Sequence, residues 1–233
     1  MTTIDQVFYD KIFSRVKNTD KLNIISNFVD TELYNNSFSD SELPDYFSNS
    51  NDKFKIVYAG NIGIFQDWNP LIYASKKLMN KNIEFWVIGE GSKKDYLNKV
   101  ISKNNLTNIK VFPYQIRKLM PVINNLADVH FIISNEKMEN EGFPSKVYTI
   151  MACSKPMIVV SGKGTPLHNF LKDKNCSELI ISDRNEGFVN SINKLYNDKE
   201  LRDLLGKNGL RVIQKKYSKK VVIGKYINLL NKL

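Results

Sequence analysis

The stretch from Lys55 to Gly91 reads KIVYAGNIGIFQDWNPLIYASKKLMNKNIEFWVIGEG. Its two ends are short apolar segments rich in β-branched and aromatic residues, and glycines follow each of them at once. Between them, apolar residues recur at Leu71, Ala74 and Leu78, which is the spacing of one helical face. This order predicts two parallel strands joined by a helix that crosses over the sheet.

The rest of the chain repeats this alternation of strand and helix. Strands are predicted at residues 55–59, 83–88, 109–112, 129–133, 157–160 and 178–181. Helices are predicted at residues 70–79, 93–103, 116–125, after the Pro-Ser-Lys loop at 144–146, and near 186–197 and 199–216. We therefore expect an α/β fold, a doubly wound Rossmann-like parallel sheet with a helical C-terminal tail. Such a sheet binds ligands at the carboxyl ends of its strands.

The first part of the chain has a different character. Residues 4–17 have the pattern of an amphipathic helix, residues 22–25 that of a short strand, and residues 27–34 that of a turn. Residues 35–53 are rich in Ser, Asn and Asp and are predicted to be a loop or linker. This is too little for an independent domain, so we place the domain at residues 54–233.

Composition and charge limit the class of protein. The chain of 233 residues is 42% hydrophobic with a net charge of +10, and Asp203 is its last acidic residue. A solvated basic surface and contact with an anionic membrane both explain this charge, whereas we find no nucleic-acid recognition motif. We find neither a signal peptide nor an apolar run that could span a bilayer. The two cysteines lack metal-ligand spacing, so a cytoplasmic location is expected, with peripheral contact at the inner face of the membrane left open.

A second informative stretch runs from Glu141 to Val160 and reads EGFPSKVYTIMACSKPMIVV. A polar loop enters a helical segment, and a proline then precedes an apolar strand. The free amides and the dipole at a helix N-terminus favour anions. Lys146 lies in the first helical turn, where its charge opposes that dipole. A cation at such a position suggests a phosphate ligand.

Six segments together resemble one known family. They are Ile25–Leu33 (ISNFVDTEL), Tyr58–Gly63 (YAGNIG), Val87–Gly91 (VIGEG), Ala127–Val129 (ADV), Pro144–Ala152 (PSKVYTIMA) followed by Lys155-Pro156, and Arg202–Gly209. In this order they are similar to the carboxy-terminal, donor-binding half of a family 4 or group 1 retaining glycosyltransferase of GT-B fold, in the subgroup with a Pro-Ser-Lys loop. The resemblance covers residues 22–230.

The resemblance implies a donor domain that binds an NDP-sugar, most plausibly a UDP-sugar. The full enzyme would transfer the sugar with retention to a glycan or lipid-linked acceptor, in cell-surface polysaccharide synthesis, without a cofactor or a bound metal. An N-terminal acceptor domain would be supplied in cis or by a separate chain. Residues 1–53 would then be the remnant of that domain plus a linker, and this chain alone would be incomplete for catalysis.

The resemblance also implies roles for particular residues. Glu141 is expected to contact the donor sugar and Lys146 the diphosphate, although Glu136 and Glu139 compete for the role of Glu141. Donor binding is expected from Gly60, Asn61, Gly63, Gly89, Gly91, Tyr114, Gln115, Ser145 and Thr149.

Two departures from the family pattern concern this site. Thr149 stands where relatives have an acid that binds the ribose, and residues 64–68 lack the cations that usually follow the first glycine loop. Lys146 must therefore neutralise more of the diphosphate charge. His130 lies within a predicted apolar strand, so we expect it to be a core residue.

Two other functions agree with the same residues. One is a non-catalytic nucleotide-sugar-binding subunit of a split enzyme. The other is a UDP-sugar epimerase of GT-B form, which would convert its substrate without an acceptor.

Overall fold

We describe a computed structural model, which covers residues 1–13, 15, 21–35, 43–50, 52–137 and 142–232. Within these ranges, six parallel strands form one sheet in the order β5-β4-β3-β6-β7-β8. The strands are β3 (Phe54–Ala59), β4 (Ile83–Ile88), β5 (Ile109–Phe112), β6 (Val129–Ile133), β7 (Met157–Val160) and β8 (Ser177–Ile180). A separate parallel pair joins β1 (Thr2–Thr3) to β2 (Asn23–Ile24).

The helices cover both faces of the sheet. They are α1 (Gln6–Phe13), α2 (Thr31–Asn35), α3 (Asn69–Lys77), α4 (Lys94–Lys103), α5 (Met120–Leu126), α6 (Lys146–Ala152), α7 (Pro166–Leu171), α8 (Arg184–Asn197), α9 (Lys199–Lys216) and α10 (Lys219–Leu230). Short 3-10 helices lie at Asp45–Ser50 and Arg117–Leu119. The predicted doubly wound α/β fold is confirmed.

The strands are apolar along their whole length because both faces of the sheet are covered. All residues of β4, β6 and β7 are buried. One core cluster packs α3 and α8 against the sheet, and a second packs α6 and α7 on strands β6 and β7. The core therefore fixes the carboxyl ends of β3 and β6, from which the site is built.

Two local predictions were wrong in detail. The helix predicted at 116–125 begins only at Met120, after an extended Ile116 and a 3-10 turn, because Pro121 lacks an N–H and fits the first helical turn. The segment expected to be a turn at 27–34 instead enters α2 at Thr31.

The N-terminal segment packs against the end of the chain. Val29 accepts a backbone hydrogen bond from Lys219 at 3.1 Å and donates one to Tyr217 at 3.0 Å. An ion pair between Lys219 and Asp30 at 3.2 Å lies beside them. The assignment of residues 1–53 to a preceding domain stays a prediction. No described helix has the length and apolar character needed to cross a membrane.

Candidate donor site

A cavity of about 820 Å³ opens at the carboxyl edge of the sheet. Its floor is formed by the ends of β3 and β6, and one side by the start of α6. The N-terminal segment supplies another wall through residues 27–29 and Tyr34. Five residues predicted for the site line this cavity, namely Gly60, Asn61, Ser145, Lys146 and Thr149. The cavity lies where parallel sheets bind their ligands.

Lys146 is the first residue of α6, as the sequence predicts. Its Nζ lies 3.6 Å from the centroid of the Tyr58 ring. In the part of the chain that the structure describes, no carboxylate lies within 4.0 Å of this ammonium, and Nζ donates no hydrogen bond. Although part of the side chain reaches solvent, burial of the charged end lowers the pKa of Lys146 to about 7. A buried cation without a counter-charge is costly, and an anionic ligand would remove that cost.

The glycines after β3 and β4 bring two loops into contact. Gly89 has a φ of +147°, and a Cβ there would lie 2.0 Å from the carbonyl oxygen of Gly60. Gly60 has a φ of +145°, and a Cβ on it would lie 2.5 Å from Nζ of Lys146. Only glycine fits this approach without displacing its neighbours. Gly89 therefore allows the second loop to approach the first, and Gly60 leaves room for the lysine.

Three backbone N–H groups of the first glycine loop already donate hydrogen bonds within the protein. Gly60 donates to Ile88 at 2.9 Å, Ile62 to Glu90 at 2.7 Å, and Gly63 to the side chain of Gln66 at 3.0 Å. These three N–H groups already have acceptors within the protein, and the binding roles predicted for Gly60 and Gly63 stay predictions. Among the described residues of this loop, Asn61 is left with a backbone N–H that has no acceptor.

Ser145 and Thr149 flank Lys146 on the cavity wall. Ser145 precedes α6, is exposed, and makes no side-chain capping bond. The Thr149 hydroxyl donates to the Lys146 carbonyl at 2.8 Å, so it can offer a ligand only its lone pairs. Thr149 can therefore still accept a hydrogen bond from one ribose hydroxyl, whereas the acid of relatives could accept from both.

The other predicted binding residues do not line the cavity. They are Gly63, Gly89, Gly91, Tyr114 and Gln115. Gln115 is buried and donates to the hydroxyl of Tyr46 at 2.8 Å and to the carbonyl of Pro113 at 2.9 Å, which gives its side chain a structural role. Tyr114 is 68% exposed. Their contribution to donor binding stays a prediction.

The three competing acids are not equivalent. Glu139 and Glu141 lie outside the described residues. Glu136 pairs with Nε of Arg184 at 2.8 Å and does not line the large cavity. Its carboxylate already has a partner, so Glu136 is the weakest candidate for a sugar contact.

His130 and Tyr58 both lie in predicted strands near Lys146. His130 is buried, with Nε2 3.0 Å from the carbonyl oxygen of Asn124, and burial lowers its pKa to about 4, so it is a neutral core residue as predicted. Tyr58 also reads as a core residue of its strand, yet its ring faces the Lys146 ammonium. Tyr58 belongs to the YAGNIG segment of the family resemblance, but the sequence does not indicate a contact with Lys146.

The described residues contain no group of three or more His, Cys, Asp or Glu side chains that could hold a metal ion.

The family model described as "Glycosyl transferases group 1" matches residues 41–212. This match spans most of the chain and includes the sheet and the start of α6. The chain belongs to the group 1 glycosyl transferase family, and the resemblance found in the sequence is confirmed.

Curated relatives give the same family. A putative colanic acid biosynthesis glycosyl transferase, WcaI, of Escherichia coli K12 is 28% identical over 126 residues, which are 54% of this chain and 30% of the relative. A poly(ribitol-phosphate) alpha-N-acetylglucosaminyltransferase of Staphylococcus aureus COL is 25% identical over 69% of this chain and 32% of the relative. The matched part is thus about a third of the length of these relatives.

Solved structures share the fold. Anabaena Alr3699/HepE, crystallised in complex with UDP, superposes with a TM-score of 0.83 at 17% identity, covering all of this chain and 63% of that one. The same protein in complex with UDP-glucose gives a TM-score of 0.81 at 16% identity, again covering 100% and 63% of the two chains. These structures establish the architecture of the chain.

Proposed function

We propose that this chain is the donor-binding domain of a glycosyltransferase and that it binds a nucleoside diphosphate sugar. The observation that carries the proposal is the Lys146 ammonium, which faces the cavity without a carboxylate among the described residues. A diphosphate at this position would supply the missing negative charge. The Asn61 backbone N–H and the exposed Ser145 hydroxyl are further donors on the same wall.

We expect the nucleotide to be uridine. Anabaena Alr3699/HepE, which shares the fold, was crystallised with UDP and with UDP-glucose, and these complexes support the choice of probe. The residues that line the cavity also include Phe28 and Phe65, exposed to 48% and 45%. Exposed rings of this kind give a base or a sugar an apolar surface to pack on.

In the transfer, the bond between the anomeric carbon and the diphosphate oxygen breaks, and a bond to the acceptor oxygen forms with retention. Negative charge grows on the leaving diphosphate, and the Lys146 ammonium stabilises it. The acceptor hydroxyl loses its proton to the leaving diphosphate or to solvent. Glu141 is expected to hold the donor sugar.

The acceptor and the remaining part of the enzyme are proposals of the same kind. Relatives named for colanic acid and for poly(ribitol-phosphate) support a glycan or lipid-linked acceptor in cell-surface polysaccharide synthesis. Because the chain matches about a third of those relatives, we propose that an acceptor domain acts with it, in cis or as a separate chain. We expect a cytoplasmic location, with peripheral contact at the inner face of the membrane.

Calorimetry with UDP-glucose tests the donor site. Lys146→Met should weaken binding about 10- to 100-fold, which is the effect of losing a charge-assisted hydrogen bond. Lys155→Met is the matched control, because Lys155 is also partly buried with a pKa lowered by burial, yet it does not line the cavity. If the Lys146 variant bound UDP-glucose as tightly as the natural chain, Lys146 would not contact the diphosphate.

A second measurement separates transfer from epimerisation. The chain is incubated with UDP-glucose and no acceptor, and the sugar is analysed. We expect the sugar to keep its configuration. Conversion to another hexose would favour an epimerase.

A further inference from the structure

We propose that Tyr58 is a positioning residue of the donor site, whose ring holds the Lys146 ammonium at the cavity wall and whose hydroxyl fixes the adjoining glycine loop. The inference rests on the proposed donor function and names a residue through which that function operates. It goes beyond the predicted site, in which Tyr58 has no role.

The first observation is the arrangement of the ring and the cation. Nζ of Lys146 lies 3.6 Å from the Tyr58 ring centroid, well inside the range of about 6 Å over which such contacts attract. A lysine side chain has several rotatable bonds, and fixing it costs conformational entropy. The Tyr58 ring holds the lysine side chain in place before a ligand binds. It attracts the ammonium without a carboxylate. A carboxylate at the same place would compete with a diphosphate for the ammonium.

The second observation is the hydroxyl. The Tyr58 hydroxyl donates to the carbonyl oxygen of Asn61 at 2.5 Å. Asn61 is the residue of the glycine loop whose backbone N–H has no acceptor among the described residues. One side chain therefore contacts both the Lys146 ammonium and the carbonyl of Asn61, the residue whose N–H is proposed to bind the diphosphate.

The third observation is that the ring itself cannot move freely. Tyr58 is 1% exposed. Trp68 packs edge-on against it with centroids 5.1 Å apart, and Phe131 packs at 5.6 Å. Burial holds the pKa of the Tyr58 hydroxyl well above its usual value, so the group stays neutral. Tyr58 is therefore a fixed surface for Lys146.

A double-mutant cycle tests the inference. Affinity for UDP-glucose is measured by ligand-observed NMR for Tyr58→Phe and Tyr58→Leu, each in the natural chain and combined with Lys146→Met. In the natural chain, the leucine variant should bind about tenfold more weakly than the phenylalanine variant, because only phenylalanine keeps the ring. With Lys146→Met present, the two should bind equally.

Two outcomes would overturn the inference. One is an equal difference between phenylalanine and leucine in both backgrounds, since the ring would then act without Lys146. The other is a loss in Phe85→Leu as large as in Tyr58→Leu. Phe85 lies buried in the same core cluster and does not line the cavity. Phe85→Leu therefore measures the effect of lost core packing without a change in the cavity lining.

A spectroscopic measurement needs no nucleotide. In a carbon–proton correlation spectrum, the Lys146 Cε protons should be shifted upfield by the ring current of Tyr58, with the signal assigned by its absence in Lys146→Met. The shift should persist in Tyr58→Phe and vanish in Tyr58→Leu. Its absence from the natural chain would overturn the positioning role even if UDP-glucose binds. A normal ring shift without any UDP-glucose binding would contradict the proposed function instead.

Discussion

Among the helices that leave the carboxyl edge of this sheet, α6 and α8 each have a cation at their first residue. Lys146 begins α6 and Arg184 begins α8, and each charge opposes the dipole of its helix. Arg184 is satisfied by the protein, because its guanidinium donates to Glu136 at 2.8 Å and to the Ser134 carbonyl at 2.5 Å. In the described ranges, Lys146 instead has an aromatic ring as its partner.

The difference shows how to distinguish two similar positions. A cation whose donors already bond to a carboxylate and a carbonyl stabilises the loop that carries those acceptors. A cation held by an uncharged ring beside a cavity keeps its donors for a ligand. Both residues look alike in sequence, and their partners decide what each can do.

The largest expected effect is that Lys146→Met and Arg184→Met change the free energy of unfolding in opposite directions. Lys146→Met should raise the free energy of unfolding by about 2 kcal/mol at a pH of about 6, because it removes a buried charge and keeps the packing. Arg184→Met should lower it by about 2 kcal/mol, because the Ser134 carbonyl loses its donor. Urea unfolding measures both. A loss of stability in both variants would mean that Lys146 is as structural as Arg184.

The pH dependence of binding should follow Lys146 alone. UDP-glucose favours the protonated lysine, so affinity should be constant below a pH of about 7 and fall by up to about tenfold per pH unit above it. The neighbouring His130 has a pKa of about 4, and burial raises the pKa of Tyr34, Tyr58 and Tyr148, so these groups do not change charge in that window.

Calorimetry between about pH 6 and pH 8.5 measures this slope. Lys146→Arg should give a flat profile, because arginine stays charged throughout. Arg184→Met should keep the slope of the natural chain. A slope that survives in Lys146→Arg would assign the titration to another group.

Without a ligand, stability should depend on pH in the opposite sense. The pKa of Lys146 is about 7 in the folded chain and 10.5 when the side chain is free, so the unfolded chain binds more protons between these values. The free energy of unfolding should therefore rise with pH from about 7 upward, by about 1 kcal/mol per pH unit. Subtracting the profile of Lys146→Met isolates the effect, since Lys155 and Lys174 contribute equally to both. A difference profile without slope would contradict the burial of this charge.

The smallest expected effect concerns the partner of Arg184. Glu136 is 71% exposed, so Glu136→Gln should cost about 0.5 kcal/mol or less, and salt should screen even that. UDP-glucose binding should not change. A marked loss of affinity in this variant would place Glu136 among the donor contacts and would weaken the distinction between the two helix starts.

The sequence predicted the sheet well because its strands are continuous apolar runs with clear stops. Ile83–Ile88 was predicted to the residue, since Gly89 ends it. The start of α5 was misplaced because the apolar spacing before Pro121 suits both a helix and a 3-10 turn. Local patterns fix the type of an element more firmly than its ends.

The sequence predicted site residues whose role follows from their position in a helix or loop. It did not predict roles that depend on contacts between residues far apart in the sequence. Lys146 could be found because it follows a polar Pro-Ser loop at a helix start, where a cation opposes the helix dipole and suggests an anionic ligand. The acceptors that bind the N–H groups of Gly60 and Gly63 could not be predicted from the sequence. One is a carbonyl at the end of another strand, and the other is the side chain of Gln66, whose direction depends on its rotamer. Tyr58 was missed for the same reason, since its distance to Lys146 is set by the pairing of β3 with β6.

The contact of Val29 with Tyr217 and Lys219 has a consequence for the order in which the molecule is completed. Residues 27–29 are synthesised well before residues 217–219, to which the described contacts anchor them. The sheet can assemble before this, but one wall of the donor cavity stays without its anchor until residues 217–219 are available. Nascent chains that stop after α9 should therefore have the core of the fold, but residues 27–29 should not yet be held in place at the donor cavity.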